Sequence, residues 1–305
     1  MEWIKMLDYH ALYEQYHQLL FSIAYRMLGM AQDAEDVVQD VFVVLQHHNP
    51  GEIANLKAYL CKLVTNRCLN DLKSSRKAKT TYIGPWLPEP IVTAAEGNPA
   101  EALALQDDIA YAYLVVMQRL TSTERAVFVL RETLGFTFEE IGEMIGKSAV
   151  NCRQLFSRSK RKLEVQKNDA GVPIAPLNPE AEALSALFSA AFRAGDIASI
   201  VELLSEDAIL LTDGGGKVKA AVNPIYGRDR VRDLLAFTIS RYLRDGVIQS
   251  IAVNCRNSFM VVHGCKPHAV YALAFTPDGS AISRVYVVMN PDKLHSADCL
   301  LERPS

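Results

Sequence analysis

Several absences narrow the reading before any motif is considered. No window of the 305 residues holds eighteen uninterrupted apolar positions, and "MEWIKMLDYH" places no apolar run of secretory length behind a basic start. The expectation is a cytoplasmic chain without membrane contact. Cysteine occurs six times (Cys61, Cys68, Cys152, Cys255, Cys265, Cys299), never as C-x-x-C, and no histidines stand at zinc-ligand spacing. No metal site is expected, and the thiols read as reduced packing residues. Cys255 and Cys265 would lie on neighbouring strands, which leaves a redox pair open there. The phosphate-loop pattern G-x-x-x-x-G-K-[ST] is missing too. In "LTDGGGKVKAA" Lys217 is followed by Val218, and no glycine stands at Leu211 or Thr212. The three glycines therefore suit a hairpin tip with positive φ, not a nucleotide cradle.

Charge of one sign is scarce overall, at −3 net, but it is unevenly spread. Cys61 to Thr80 carries six basic residues against Asp71, and Lys147 to Lys167 carries seven against Glu164. Between Gln32 and Asp40 the balance reverses, with Asp33, Glu35, Asp36 and Asp40. Two basic stripes and one acidic helix point to separate partners for separate faces.

Helical periodicity runs to about Gln166. "LYEQYHQLLFSIAYRMLG" and "AQDAEDVVQDVFVVLQ" repeat apolar residues at three- and four-residue steps, and a third helix is expected from Asn55 to Ser74. "TYIGPWLPEPIVTAAEGNP" has prolines and no helical period, so it reads as a linker. Helices resume at Asn98-Pro99-Ala100-Glu101, and Thr121-x-x-Glu124 and Thr137-x-x-Glu140 have capping-box spacing. After "NDAGVPIAPLNPE" the texture changes to helix, the runs "AILLTD" and "KVKAAV" about the glycines, a helix over Arg228–Arg244, and four further strand-like runs. The last part is expected to be α+β with a curved antiparallel sheet. The spans are 1–80, a linker 81–98, 99–167, a linker 168–178, and 179–305.

"TFEEIGEMIGKSAVNCRQLFSRSKRKLE" is the most specific stretch. Gly146 makes a tight turn between two helices, and Ser148 caps the second. Cys152, Phe156, Ser159 and Leu163 share its inward face. Asn151, Arg153, Gln154, Ser157 and Arg158 project outward, where a recognition helix meets base edges, and Lys160, Arg161 and Lys162 continue toward phosphates.

This helix-turn-helix resembles region 4 of extracytoplasmic-function sigma factors of the sigma-70 family, the part that reads the −35 promoter element. "AQDAEDVVQDVF" is similar to their region 2 helix. The resemblance implies contacts from Asp33, Glu35, Asp36, Gln39, Asp40 and Phe42 to the β′ coiled-coil of RNA polymerase core, with the β flap as a further partner. "NLKAYLCKLVTNRCLNDLKSSRK" is similar to the segment that reads and melts the −10 element. That assigns Asn66, Arg67, Asn70, Asp71, Lys73, Arg76 and Lys77, with Tyr59 where the family often has tryptophan. The fold implied is two all-α sigma domains plus an α+β SnoaL-like cone. "WLPEP" (Trp86, Leu87, Pro88, Glu89, Pro90), "DGGGK" (Asp213, Gly214, Gly215, Gly216, Lys217) and "NPDKL" (Asn290, Pro291, Asp292, Lys293, Leu294) resemble a subgroup with such a fused domain. In that subgroup the domain is a built-in regulator, so no separate anti-sigma factor is expected. Trp86 would be the anchor, and Asp213, Lys217, Asp292 and Lys293 would make polar contacts, each worth little where exposed.

The SnoaL-like fold is also similar to polyketide cyclases and ketosteroid isomerases. This leaves open a small-molecule ligand in the cone, or a base drawn from Asp213, His263 or His268 with Tyr226 or Tyr271 as donor. Asp213 abuts the glycine tip, a poor place for a buried base, and His263 lies near a strand end. Neither a catalytic residue nor a cofactor is expected.

Overall fold

The computed structural model describes residues 2–48, 53–74, 82–94, 111–170, 179–242 and 246–302. Two compact units result. One takes in Met1–Ala78 and Met117–Glu164, the other Lys79–Val116 and Val165–Ser305. The expected helix start at Asn98-Pro99 falls outside the described residues, as do Arg76 and Lys77.

In the first unit α1 (Glu2–Leu28), α2 (Ala31–Gln46) and α3 (Leu56–Ser74) form a bundle. α2 is amphipathic as its sequence requires. Val37, Val38, Val41, Phe42 and Leu45 face inward, while Asp33, Asp36, Gln39 and Asp40 stay exposed. After α4 (Tyr111–Met117), whose last residue alone belongs to this unit, come α5 (Ser122–Phe128), a π-helical turn at Val129–Thr133, α6 (Phe138–Ile145) and α7 (Ala149–Ala170). Both capping boxes form: Thr121 accepts from the Glu124 N–H and Thr137 from the Glu140 N–H, and each glutamate reaches back to its threonine. Gly146 ends α6 in the left-handed region (φ 68°), and Ser148 Oγ caps α7 by accepting from the Asn151 N–H at 3.2 Å. Val127, Leu130, Ile141, Met144, Cys152 and Leu155 fill the helix-turn-helix core, so Cys152 packs as its spacing indicates.

The second unit is built on a seven-stranded sheet of order β1-β4-β5-β6-β7-β2-β3. Its strands are β1 (Val92–Ala94), β2 (Leu204–Asp213), β3 (Ile225–Tyr226), β4 (Val247–Val253), β5 (Arg256–His263), β6 (Lys266–Phe275) and β7 (Ile282–Val288). α8 (Pro179–Ala194), α9 (Ile197–Leu203) and α10 (Arg228–Tyr242) contribute to its core, and α11 (His295–Glu302) follows a 3-10 turn at Pro291–Lys293. Phe192, Phe259 and Tyr271 meet at ring separations of 4.5 to 5.0 Å within that core.

Three features depart from the sequence expectation. The sheet is antiparallel except where β2 runs parallel to β7, because the chain between them crosses through α10 and the β4-β5-β6 meander before returning. "KVKAAV" is not a strand. Lys217 and Val218 N–H groups both donate back to Gly214 O, and the loop is tied off by Thr212 Oγ1 donating to Ala221 O (2.9 Å), so β2 finds its antiparallel partner later, in β3. Cys255 and Cys265 are not a pair. They occupy the turns at opposite ends of the eight-residue β5, on the order of 25 Å apart at strand rise, and all six cysteines are thiols. Those turns, Asn254-Cys255 and Gly264-Cys265, have positive φ at both positions, the requirement of a two-residue hairpin.

One ionisable contact inside the helix-turn-helix gives a measurable pH dependence. Burial pushes the Glu124 carboxyl up. Hydrogen bonds from Lys162 and Thr121 outweigh that and hold it below the ordinary 4.5. A carboxyl so depressed stabilises the fold above about pH 4.5, and the contribution is lost as pH falls through the folded value. Glu124→Gln keeps a capping residue and removes the charge. Amide exchange across Ser122–Phe128 is expected to lose about tenfold protection at pH 7 (about 1.4 kcal/mol). After correction for intrinsic rates, the difference from the parent closes as pH falls below the ordinary 4.5 and through the folded value.

Candidate functional site

The exposed faces of the first unit come in two parts. The cap Ser148 is exposed, as are Arg153, Gln154, Ser157, Arg158, Lys160, Arg161 and Lys162 on α7, and Asn151 is half-buried. Not all the cations are equally available. Lys162 Nζ donates to both carboxylate oxygens of the buried Glu124 at 2.8 Å, and Lys160 lies 3.6 Å from Glu132 and over the Phe156 ring. Arg153 sits over Phe138, with its guanidinium 5.3 Å from the ring centre. Val150, 61% exposed at the start of α7, joins this face.

On α3, Arg67, Asn70 and Lys73 are exposed while Asn66 and Asp71 are half-buried. Asn66 Nδ2 donates to Met144 O at the end of α6 (2.9 Å). A residue expected to read the −10 element is thus occupied by the helix-turn-helix. Arg67 bridges Asp40 (3.0 Å) and Asp71 (3.5 Å), tying an acid of α2 expected to meet polymerase to two residues expected to meet the −10 element. Glu35 bonds His17 at 2.9 Å. Phe42 differs from its expected place on a contact surface. It is 7% exposed and packs on Tyr13 at 4.9 Å, because its α2 position falls on the apolar face. Its exposed neighbours Val43 and Val44 carry the outward apolar surface instead.

The second unit brings all three pentapeptides together. Asp213, expected beside an exposed tip, is fully buried at the end of β2 and ion-paired with equally buried Lys293 at 2.7 Å. Linker groups complete the pair. Leu87 N–H and Tyr82 O–H donate to Asp213 (2.9 and 2.5 Å), Lys293 Nζ donates to Leu87 O (2.5 Å), and the ammonium lies 4.0 Å from the centre of the Trp86 ring. Burial pushes Lys293 below the ordinary amine value, while the charges of Asp213, Glu89 and Asp292 oppose it. Burial and the bond to Asp213 raise the Tyr82 phenol.

The glycines belong to this contact. A Cβ on Gly215, where φ is 61°, would stand 2.4 Å from the Asn290 amide, and one on Gly214 would meet Val218 O at 2.3 Å. Asn290 in turn donates to Tyr82 Oη (3.0 Å), and its Oδ1 accepts from the Asp292 N–H, with Pro291 opening the short turn. Leu87, Pro88, Glu89, Pro90 and Leu294 are buried, and Trp86 is half-buried. Lys217 and Asp292 pair in the open at 2.6 Å, each 56% exposed, so that pair is the weak one.

Beyond Pro90 the linker becomes part of the sheet. β1 pairs antiparallel with β4, Ile91 exchanges hydrogen bonds with Asn254, and Ser296 Oγ donates to Pro90 O (2.8 Å). Tyr82, Tyr111, Asn254 and Ser296 escaped the sequence reading, because their partners lie 23 to 208 residues away and no local pattern marks them.

A cavity of about 260 Å³ opens elsewhere in this unit, lined by Leu210, Leu234, Val261, Tyr271 and Val287 among others. His268 lines it and stacks edge-on with His263 at 5.1 Å. Burial, then His263, pushes His268 below the ordinary histidine value. Asp213 is not among the lining residues, and Tyr226 is 59% exposed on β3. The carboxylate considered as a base is thus committed to the linker. Among the described residues no cluster could hold a metal ion, and no helix is long and apolar enough to cross a membrane.

The helix-turn-helix, acidic α2 and basic α3 define a class. Sigma-70 region 2 matches residues 12–78, and Sigma-70, region 4 matches residues 111–163. The chain belongs to the ECF RNA polymerase sigma factors. It is 32% identical over 291 residues to the ECF RNA polymerase sigma factor SigJ of Mycobacterium tuberculosis, across 92% of this chain and 91% of that one. The probable ECF RNA polymerase sigma factor SigI of the same species is 26% identical over 287 residues, 93% of this chain and 94% of that one. The crystal structure of M. tuberculosis SigJ covers 94% of this chain and 98% of its own, with a TM-score of 0.74 and 29% identity. Helical sigma parts followed by an α+β C-terminal domain are thus common to both chains.

The buried pair yields a sharp expectation. Lys293→Met leaves a carboxylate buried without its cation and costs about 3–5 kcal/mol in the second unit. The double variant Asp213→Asn/Lys293→Met costs far less. Thermal unfolding of the full-length parent, Lys293→Met, Asp213→Asn and the double variant measures the coupling, and near-additive losses would refute it.

Proposed function

We propose that this chain is a promoter-specific sigma factor that carries its own regulator, which acts by holding the linker between its two sigma regions. The carrying observation is that the WLPEP backbone is hydrogen-bonded to the buried Asp213–Lys293 pair. Exposed α2 acids, with Val43 and Val44 beside them, meet the polymerase β′ coiled-coil. α3 meets the −10 element, and α7 meets the −35 element with the β flap behind it. The spans 1–80 and 99–167 serve these two promoter elements, 81–98 is the held linker, 168–178 a second connection, and 179–305 the regulator. The protein works in the cytoplasm, without catalysis and without a separate anti-sigma factor. Holding the linker restricts the spacing that two DNA-reading regions can adopt, and releasing it restores that freedom.

In vitro transcription with core polymerase on a genomic promoter library tests this. The full chain and Asp213→Asn/Lys293→Met are expected to start at the same promoters with several-fold different yields. Equal yields, with a linker that proteolysis shows to be released in the variant, would remove the regulatory reading. Core binding without any specific start from either chain would remove the promoter assignment.

Single substitutions on α7 should divide by geometry. Arg153→Ala and Gln154→Ala are expected to cost roughly 1–3 kcal/mol and relax the choice of −35 sequence. Arg161→Ala weakens binding evenly across sequences. Lys162→Ala lowers stability more than DNA affinity, since its ammonium serves Glu124. Binding to duplexes with permuted −35 sites separates the selective from the even losses, and thermal unfolding reads the Lys162→Ala effect.

A further inference from the structure

We infer that the cavity of the second unit takes a small apolar molecule with one anionic end, and that its occupancy acts on the linker through walls the two sites share. The inference rests on the linker-holding role proposed above.

The shared walls are specific. Thr212 lines the cavity and directly precedes Asp213, which receives the linker. Lys219, Ala220 and Ala221 line it from the far end of the glycine loop, and the Thr212 hydroxyl ties that loop down at Ala221 O. Met289 lines it and directly precedes Asn290, and the N–H groups of both donate to Asp213 O at 2.8 and 2.9 Å. All three segments that seat the linker therefore turn one side to it and the other to the cavity. A molecule that spreads or braces these walls changes the geometry of Asp213 and Asn290. By linkage, the state of the linker changes the molecule's affinity to the same extent.

The chemistry of the walls selects the class. Leu210, Leu234, Leu235, Val261 and Val287 supply apolar surface, and Phe237 stands 58% exposed beside them. The described residues lining the cavity include the cation of Lys219 and no aspartate or glutamate. An anionic end is therefore favoured and a cationic one is not. At about 260 Å³ the space lies just under the roughly 300–1,000 Å³ of drug-sized pockets, so the molecule is small.

Octanoate and octanol serve as probes, each titrated calorimetrically into the full chain and its full-length variants. Octanoate is expected to bind one-to-one and more tightly than octanol, and Lys219→Glu, an exposed change, to weaken it roughly fivefold or more. Thr238→Phe, which fills the cavity from the half-buried face of α10, should abolish binding. Trp3→Phe leaves Trp86 as the sole tryptophan, and saturating octanoate is expected to shift its emission. Equal octanoate affinity in Thr238→Phe and the parent would overturn the site. Octanol binding as tightly, with Lys219→Glu unchanged, would overturn the anionic class, and an unmoved Trp86 spectrum at saturation would overturn the coupling. None of these readings uses promoter DNA or polymerase, so their failure is distinct from failure of the sigma role.

Discussion

Burying an ammonium and a carboxylate together costs each ion several kcal/mol of hydration, and mutual attraction repays this only where every remaining donor and lone pair is met. Asp213 and Lys293 are at most 2% exposed, and half of what meets them comes from a segment more than a hundred residues away. Leu87 gives its N–H to the acid and its carbonyl to the base, Tyr82 gives a hydroxyl, and Trp86 gives a ring face. Taken away, the linker would leave a charged pair short of partners in an apolar setting. The dependence runs both ways. The linker has no helical period of its own, and its described course is set by this pair and by the strand that follows.

The linker's composition fits that dependence. Pro88 and Pro90 have no N–H to satisfy, so a buried extended stretch there needs fewer partners, and the carbonyls of both are met, by Tyr111 and Ser296. A proline-stiffened chain also loses less conformational freedom on docking. The order Trp-Leu-Pro-Glu-Pro then reads as ring over cation, peptide across the ion pair, and two donor-free positions leading into β1.

Legibility divided along the range of the interactions. Capping boxes, the turn at Gly146 and the inward face of α7 are written within a few residues of where they act, and all were readable. The three pentapeptides were readable as a set by resemblance, but their chemistry was not. Asp213 looked exposed because it neighbours three glycines; it is buried because those glycines let Asn290 and the linker close over it. The parallel β2–β7 seam, and the hairpins turning on Asn254-Cys255 and Gly264-Cys265, left no conventional turn signal. Phe42 was assigned outward by resemblance against its own periodicity, and the periodicity decided its position.

The same logic of satisfied charge governs the helical unit. Asn66 is engaged by a backbone carbonyl, Arg67 by two acids, Lys160 and Lys162 by glutamates. Each such group must exchange an internal partner for a phosphate or a base before it contributes to DNA binding, and only the difference appears as affinity. For exposed Arg67 and Lys160 that exchange is nearly free, since surface pairs are worth about 0–1 kcal/mol. For Lys162 it is not, because its partner is buried and would be stranded. A count of basic residues along α7 therefore overstates the charge available to DNA. In the proposed −35 contact the electrostatic grip then falls to Arg158, Lys160 and Arg161, with Lys162 held back by Glu124.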